Sequence, residues 1–254
     1  MLVIQKRQIE AFEQAALKRF EDKMVEHSRQ FAARLFEIRG EDCIREVVRL
    51  GMTRAGQYGF TNRGPIRFYI ELMYALGCDF DSDPQLPWAK AILQDSTVMD
   101  QMSRADRLHA KTSEYFDRVV GPNNSIVVES LHRLQMTPLN QYLSPGDHFQ
   151  TNVFKFLNDV YPQKCRCIGW PALNALYSHC VEVTRSFAIP EQPGAGLIIV
   201  LMFWFGHRVA TDPLYPWVGT CLSDSERPSA NERLQHLYKK TMTYVGGMLK
   251  HLEN

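Results

Sequence analysis

From Gln5 to about Leu35 the apolar residues Ile9, Phe12, Ala16, Phe20, Met24 and Phe31 recur at steps of three, four or a whole number of turns. Charged residues fill the other sides, and no proline or glycine intervenes. This spacing predicts a long amphipathic helix. Gly40 interrupts the pattern, and Asp42 is placed to cap a second helix through Ile44, Val47, Val48 and Met52 to about Gln57, which Gly59 can stop. Phe60-Thr61-Asn62 then reads as a staple residue followed by possible caps, launching a third helix near Pro65. From Ile66 to Leu76 this helix is apolar almost all the way round, which predicts burial at the centre of the first half, and Gly77 can end it. Asp83-Pro84 forms a turn, Pro87 opens a short helix that Trp88 anchors, and a last helix runs from about Val98 to Val120. Gly121-Pro-Asn-Asn124 closes the half.

The same plan returns in the second half. Leu139 to Tyr161 predicts a helix, Pro162 to Trp170 a loop, and Pro171 to Phe187 a second helix. Gly194 to Gly206 is the central apolar helix, Pro216 to Leu222 the short one and Glu232 to Leu252 the last. Under a shift of 129 positions Leu72-Met73 falls on Leu201-Met202, Gly77 on Gly206, Asp83-Pro84 on Asp212-Pro213, and Pro87-Trp88 on Pro216-Trp217. Arg104, Leu108, Thr112 and Tyr115 fall on Arg233, Leu237, Thr241 and Tyr244 without a gap. No sustained run alternates with period two, so strands are at most minor. The expected fold is all-α, a tandem duplication of a helical unit in two lobes. Its units are residues 1–121 and 131–254, about five helices each, joined by a linker at 122–130.

Composition narrows the partners. The 254 residues are 45% apolar and 22% charged with a net charge of +1, which gives no broad electrostatic reason for binding nucleic acid or an anionic membrane. The opening residues become charged too soon for a secretory signal, and the apolar run Leu197–Phe205 is far short of the roughly 20 residues that span a bilayer. A cytoplasmic protein is expected, without membrane insertion. The six cysteines (43, 78, 165, 167, 180 and 221) read as ordinary reduced thiols. Residues 1–120 hold 18 basic and 18 acidic side chains against 11 and 10 in the remainder, so the second half offers more surface for apolar contact.

Candidate chemistry is sparse. Asp79, Asp81 and Asp83 alternate like the start of a calcium loop, but Pro84 replaces the glycine such a loop needs and Lys90 stands where its glutamate belongs. Their counterparts are Arg208, Ala210 and Asp212; the aspartate before the proline persists, as a turn cap would. The eight histidines show no ligand spacing, and no nucleophile elbow, phosphate loop or dinucleotide fingerprint occurs. No catalytic residue, metal or cofactor is expected, and the chain is not read as an enzyme. The basic side chains between Arg45 and Arg67 read as an ion-paired face, and Phe203-Trp204-Phe205 as core packing. Asp79, Asp81, Arg63, Arg67, Arg208 and Tyr215 are the candidate partner-binding residues; Asp83, Pro87, Trp88, Asp212, Pro216 and Trp217 are assigned to turns and anchors.

Gln8-Ile9-Glu10-Ala11, Arg19 to His27, Tyr58-Gly59-Phe60-Thr61, Tyr69 to Met73, Gly77, Asp79-Phe-Asp81 and Pro87-Trp88-Ala89 carry a resemblance. Together they resemble uncharacterised all-helical bacterial proteins encoded beside type VI secretion effectors and other polymorphic toxins. The likeness covers mainly the first half and brings no catalytic residue with it. It implies a non-enzymatic protein whose partner is a cognate toxin or secreted effector. The leading role is that of a cytoplasmic immunity protein, the alternative an adaptor or chaperone that loads an effector. An enzyme with a site in the cleft between lobes is the third reading.

Overall fold

The computed structural model of the chain describes residues 6–138 and 144–253, the side chains of residues 9 and 10 excepted. Among the described residues every regular element is helical: α1 (Lys6–Phe31), α2 (Ala33–Gln57), α3 (Arg63–Leu76), α4 (Pro87–Leu93), α5 (Gln101–Val119), a 3-10 turn (Pro122–Asn124), α6 (Ser125–Met136), α7 (Phe149–Val160), α8 (Pro162–Ser186), α9 (Glu191–Phe205), α10 (Pro216–Leu222) and α11 (Ala230–Leu252). Their buried side chains, from both halves, form one continuous apolar cluster. Each large aliphatic or aromatic side chain fully removed from water there contributes about 1.5–3 kcal/mol before entropy is charged against it.

Several boundaries differ from the sequence expectation. The first break falls at Ala32, while Gly40 is a kink inside α2 (φ 76°, ψ 170°) that glycine tolerates. Residues 162–170, expected as a loop, belong to α8: Pro162 occupies the first helical position, where a missing N–H costs nothing, and Gly169 supplies the kink (φ 76°, ψ 171°). The segment expected as a linker, 122–130, contains the 3-10 turn and the start of α6. The helix expected from Leu139 begins at Phe149, and residues 139–143 lie outside the described part. Thr61 and Asn62 do not cap α3 with their side chains; Gln101 Oε1 accepts from both of their backbone N–H groups instead.

At the 129-residue shift two pairs of helices coincide in their bounds. α8 has the bounds of α2, and α10 those of α4. Gly77 and Gly206 end α3 and α9 at φ 97° and 102°. Gly59 and Ala188 both adopt positive φ after α2 and α8, and the next N–H returns to the helix in each case: Phe60 to Ala55, Ile189 to Thr184. Trp88 lies 5.9 Å from the ring of Tyr115, and Trp217 5.6 Å from that of Tyr244.

The two halves meet where α3 and α9 end. Asp83 Oδ2 accepts the His207 N–H at 2.9 Å, and Asp212 Oδ2 accepts the Cys78 N–H at 2.8 Å. The other oxygen of each carboxylate holds its own turn, Asp83 Oδ1 through the N–H of Gln85 and Asp212 Oδ1 through that of Leu214, both at 2.8 Å. The backbones touch here. A Cβ on Gly77 would stand 2.8 Å from the Phe205 carbonyl oxygen, and one on Gly206 3.1 Å from that of Leu76. Close approach and positive φ together require glycine at both positions.

A candidate protein-binding groove

α3, α5 and the end of α1 enclose a solvent-open groove of about 420 Å³, lined by Phe31, Phe68, Leu72, Ala75 and Phe116. The spacing of Phe68, Leu72 and Ala75 puts them on one face of α3, and Thr112 and Phe116 answer from α5. Phe31 is 51% exposed although it closes an amphipathic helix. Polar groups mark the rim. Glu71 takes Arg67 at 3.2 Å and His27 at 2.7 Å, and the His109 ring lies 5.5 Å from that of Phe68. Arg63 is exposed at the first residue of α3.

The corresponding face of the second half is covered. Leu197, Val200 and Val245, the counterparts of the partly buried Phe68, Glu71 and Phe116, are buried. There α6 packs against α7 and α11, the counterparts of α1 and α5, turning Leu131 and Leu134 inward.

No protein-family model, curated protein or solved structure gives a significant match to this chain.

The sequence candidates are distributed unevenly about this groove. Arg67 lines it and Arg63 lies one turn away. Asp79 and Asp81 are engaged within the fold. Arg54 donates to Asp79 at 2.7 Å and to the Cys78 carbonyl at 2.6 Å, and Tyr58 and Tyr69 donate to Asp81 Oδ2 at 3.0 and 2.7 Å. Burial, then the Asp81 charge, pushes the Tyr58 hydroxyl up to about 12 and raises that of Tyr69 further, so both remain donors. The acidic loop is therefore a strut between α2 and α3, not a free anionic surface. Tyr215 is buried against Phe205 and Tyr244, at centroid distances of 5.0 and 6.1 Å, and has no surface to offer. Arg208 is exposed on the second half, outside the groove lining. Of the turn and anchor residues, Pro87 and Pro216 open α4 and α10, and Trp88 and Trp217 sit in their first turns. The bonds from Asp83 and Asp212 across the junction were not expected, because nothing local marks a partner 124 or 134 residues away.

A second difference concerns α1. Its periodic apolar face predicts burial, yet Phe12 is 68% and Leu17 58% exposed, and burial begins at Met24. The helix packs on α2 and α3, which reach its C-terminal part. No helix among the described residues is long and apolar enough to cross a membrane.

Proposed function

We propose that this protein works by binding another protein, that its partner is a bacterial toxin or secreted effector, and that the groove between α3 and α5 receives an amphipathic helix of that partner. The observation that carries this is the groove itself: Phe31 is half exposed and Phe68, Glu71 and Phe116 are only partly buried, whereas Leu197, Val200 and Val245 at the corresponding second-half positions of the last three are buried. Helix-in-groove recognition uses such surfaces, with apolar anchors in the groove and charges at the rim fixing direction. The toxin or effector as partner follows from the resemblance of Tyr58 to Thr61, Tyr69 to Met73 and Pro87 to Ala89 to proteins encoded beside such toxins. Immunity is the role proposed, exerted in the cytoplasm by stoichiometric occlusion and without catalysis.

We also propose that the chain is a tandem duplication whose halves are related by an approximate two-fold. The coincident bounds of α2 with α8 and α4 with α10, the paired glycines and the reciprocal aspartate bonds support it.

Co-expression with the toxin encoded beside the gene tests the function. Growth should be rescued, and a stable one-to-one complex should be recovered. Ala75→Arg places a long cation in the groove at an exposed position, and should weaken the complex by about 100-fold or more without lowering thermal stability. Rescue by the Ala75→Arg protein at wild-type affinity would refute the groove. A complex that engages the effector's transport region, and leaves its toxicity intact, would mean an adaptor instead.

A further inference from the structure

The groove between α3 and α5 has unlike ends. Both helices start at the same end, where Gln101 Oε1 accepts the N–H groups of Thr61 at 2.8 Å and Asn62 at 2.9 Å. They run on in parallel: the rings of Phe68 and His109 lie 5.5 Å apart, and two turns further along each helix Ala75 and Phe116 line the groove together. Near the start of α3, Arg67 belongs to the lining and exposed Arg63 stands one turn before it. At the far end Leu72, Ala75 and Phe116 make the lining apolar.

The charges at the first end are unequally exposed. Glu71 Oε1 is shared by Arg67 Nε at 3.2 Å and His27 Nε2 at 2.7 Å, and the Glu71 side chain is 15% exposed against 57% for Arg67. A segment lying in the groove therefore meets the guanidinium before it meets the carboxylate. Asp106, exposed one turn before His109, lies on the α5 side and outside the lining, so the α3 side of this end is cationic. The second half adds an observation on direction. The helix that packs there on α7 and α11, the counterparts of α1 and α5, is α6. It runs antiparallel to α11: Gln135 sits beside Gly246, and His132 meets Glu253 at 2.6 Å just past the end of α11.

A helix ends in carbonyl groups without intrahelical partners and in a partial negative charge. Set against Arg67 and Arg63 that end is stabilised, whereas the reverse direction would bring a helix N-terminus to two cations. Resting on the reading of the groove given above, we propose that the segment it receives is acidic at its C-terminal end and runs antiparallel to α3 and α5, as α6 does to α11. Acidic residues in its last turn meet Arg67 and Arg63, and apolar side chains one and two turns earlier fill the far end over Leu72, Ala75 and Phe116. The groove volume of about 420 Å³ holds about two or three such side chains, by comparison with the cavity of about 150 Å³ that holds benzene. Acids in the last turn weaken a helix in isolation, so the segment gains order on binding, when the arginines offset them.

The test is fluorescence anisotropy of the whole chain with three labelled peptides of about 15 residues at low ionic strength. All three share a soluble helix rich in alanine and glutamine, with leucines at i, i+4 and i+7. One carries two glutamates in its last turn, one carries glutamines there, and one carries the two glutamates in its first turn. The last-turn peptide is expected to bind best, with a Kd of about 100 μM, and each of the others about fivefold more weakly, the worth of two exposed ion pairs. Helix stability alone ranks them the other way, since glutamates favour a first turn. Replacing both arginines, Arg63→Gln with Arg67→Gln, should bring the last-turn peptide to the affinity of its glutamine version, and Ala75→Arg should abolish binding of all three. Equal affinities, a preference for first-turn acids, a preference that survives loss of both arginines, binding that survives Ala75→Arg, or no binding at about 1 mM would overturn the proposal. The groove itself is judged by the toxin complex: loss of that complex in Ala75→Arg, with no preference among the peptides, removes the acidic end and the direction and leaves the groove standing.

Discussion

Gly77→Ala is the substitution that most directly probes how the halves are joined. Gly77 sits at φ 97°, ψ 152°, a region essentially closed to residues with a side chain, and forcing alanine into it costs about 1–3 kcal/mol. A second cost comes from across the junction. The new methyl would lie 2.8 Å from the Phe205 carbonyl oxygen, a backbone atom that cannot swing aside, where ordinary contact begins near 3.4 Å. Relieving that overlap parts the ends of α3 and α9 and lengthens the Cys78–Asp212 and His207–Asp83 hydrogen bonds, adding about 1–3 kcal/mol. Gly40→Ala separates the two costs. Gly40 has a comparable backbone (φ 76°, ψ 170°), but its added Cβ would meet nothing within 4 Å, so it incurs the conformational strain and no contact. Urea denaturation of both variants should therefore show Gly77→Ala the less stable by about 1–3 kcal/mol, with a further Tm loss of about 2–12 °C for a chain of this size. Gly206→Ala, at 3.1 Å from the Leu76 carbonyl, should fall between them. If the Gly40 and Gly77 variants lose the same stability within about 0.5 kcal/mol, the close backbone approach is not a constraint and the reasoning fails.

Asp83→Asn and Asp212→Asn should each cost about 1–3 kcal/mol in denaturant midpoints, because both oxygens of each carboxylate accept N–H groups and an amide must turn its NH₂ toward one of them. Lys164 should give a distinct pH signature. Burial pushes its ammonium down to about 8 from 10.5, against the opposing pull of Asp83 and of the Cys165 and Cys167 thiols, so between those pH values the unfolded chain holds a proton that the folded chain has lost. Wild-type stability should thus rise relative to Lys164→Met by up to about 3 kcal/mol as pH goes from 8 to 10.5, read from urea midpoints of both proteins; a constant difference would refute it. Ala188→Gly should raise stability by up to about 1 kcal/mol in thermal unfolding, since alanine is held there at φ 49°, where its counterpart Gly59 is free of strain.

Much of the fold was legible because it is written in local rules. Gly77 and Gly206 announce helix ends, Asp83 and Asp212 announce turns, and Pro87 and Pro216 announce first helical positions, each recognisable from a few neighbours. Pro162 was misleading because proline breaks a helix from within but opens one without penalty, and the two roles look alike until the following residues are placed. Helix α6 was hidden for a different reason. Ile126, Val127, Val128, Leu131 and Leu134 span only about three turns, and no second occurrence of the pattern reinforced them. The candidate partner residues depended on distant choices. Asp81 looks like solvated acid until Tyr58 and Tyr69 are brought to it, and Tyr215 looks like a surface aromatic until Phe205 and Tyr244 close over it. Apolar spacing could mark Phe68, Leu72 and Ala75 as one face of α3; it could not say that the chain would leave that face open.

The pattern of agreement and divergence between the halves assigns different work to different residues. Positions that match at the 129-residue shift, such as Gly77 with Gly206, Asp83 with Asp212 and Thr112 with Thr241, make matching contacts: both threonines donate to the carbonyl four residues back at 2.8 Å. Those contacts hold helices and junction in place, and substituting them should cost stability first. Two sets among the positions that differ are polar in one half and apolar in the other. Around the groove, Arg67 and Glu71 stand opposite Gly196 and Val200, polar where the other half is buried. In the small cavity between α3, α5 and the start of α8, Lys164 and Gln85 stand opposite Leu35 and Leu214. Burying an ammonium and leaving an amide oxygen without a partner both oppose folding. Substitutions at the matched positions should therefore lower stability and leave the surviving folded fraction active. Substitutions at Arg67 should lower binding at unchanged or higher stability, and the opposite ordering in a paired stability and binding measurement would show that this residue serves the fold.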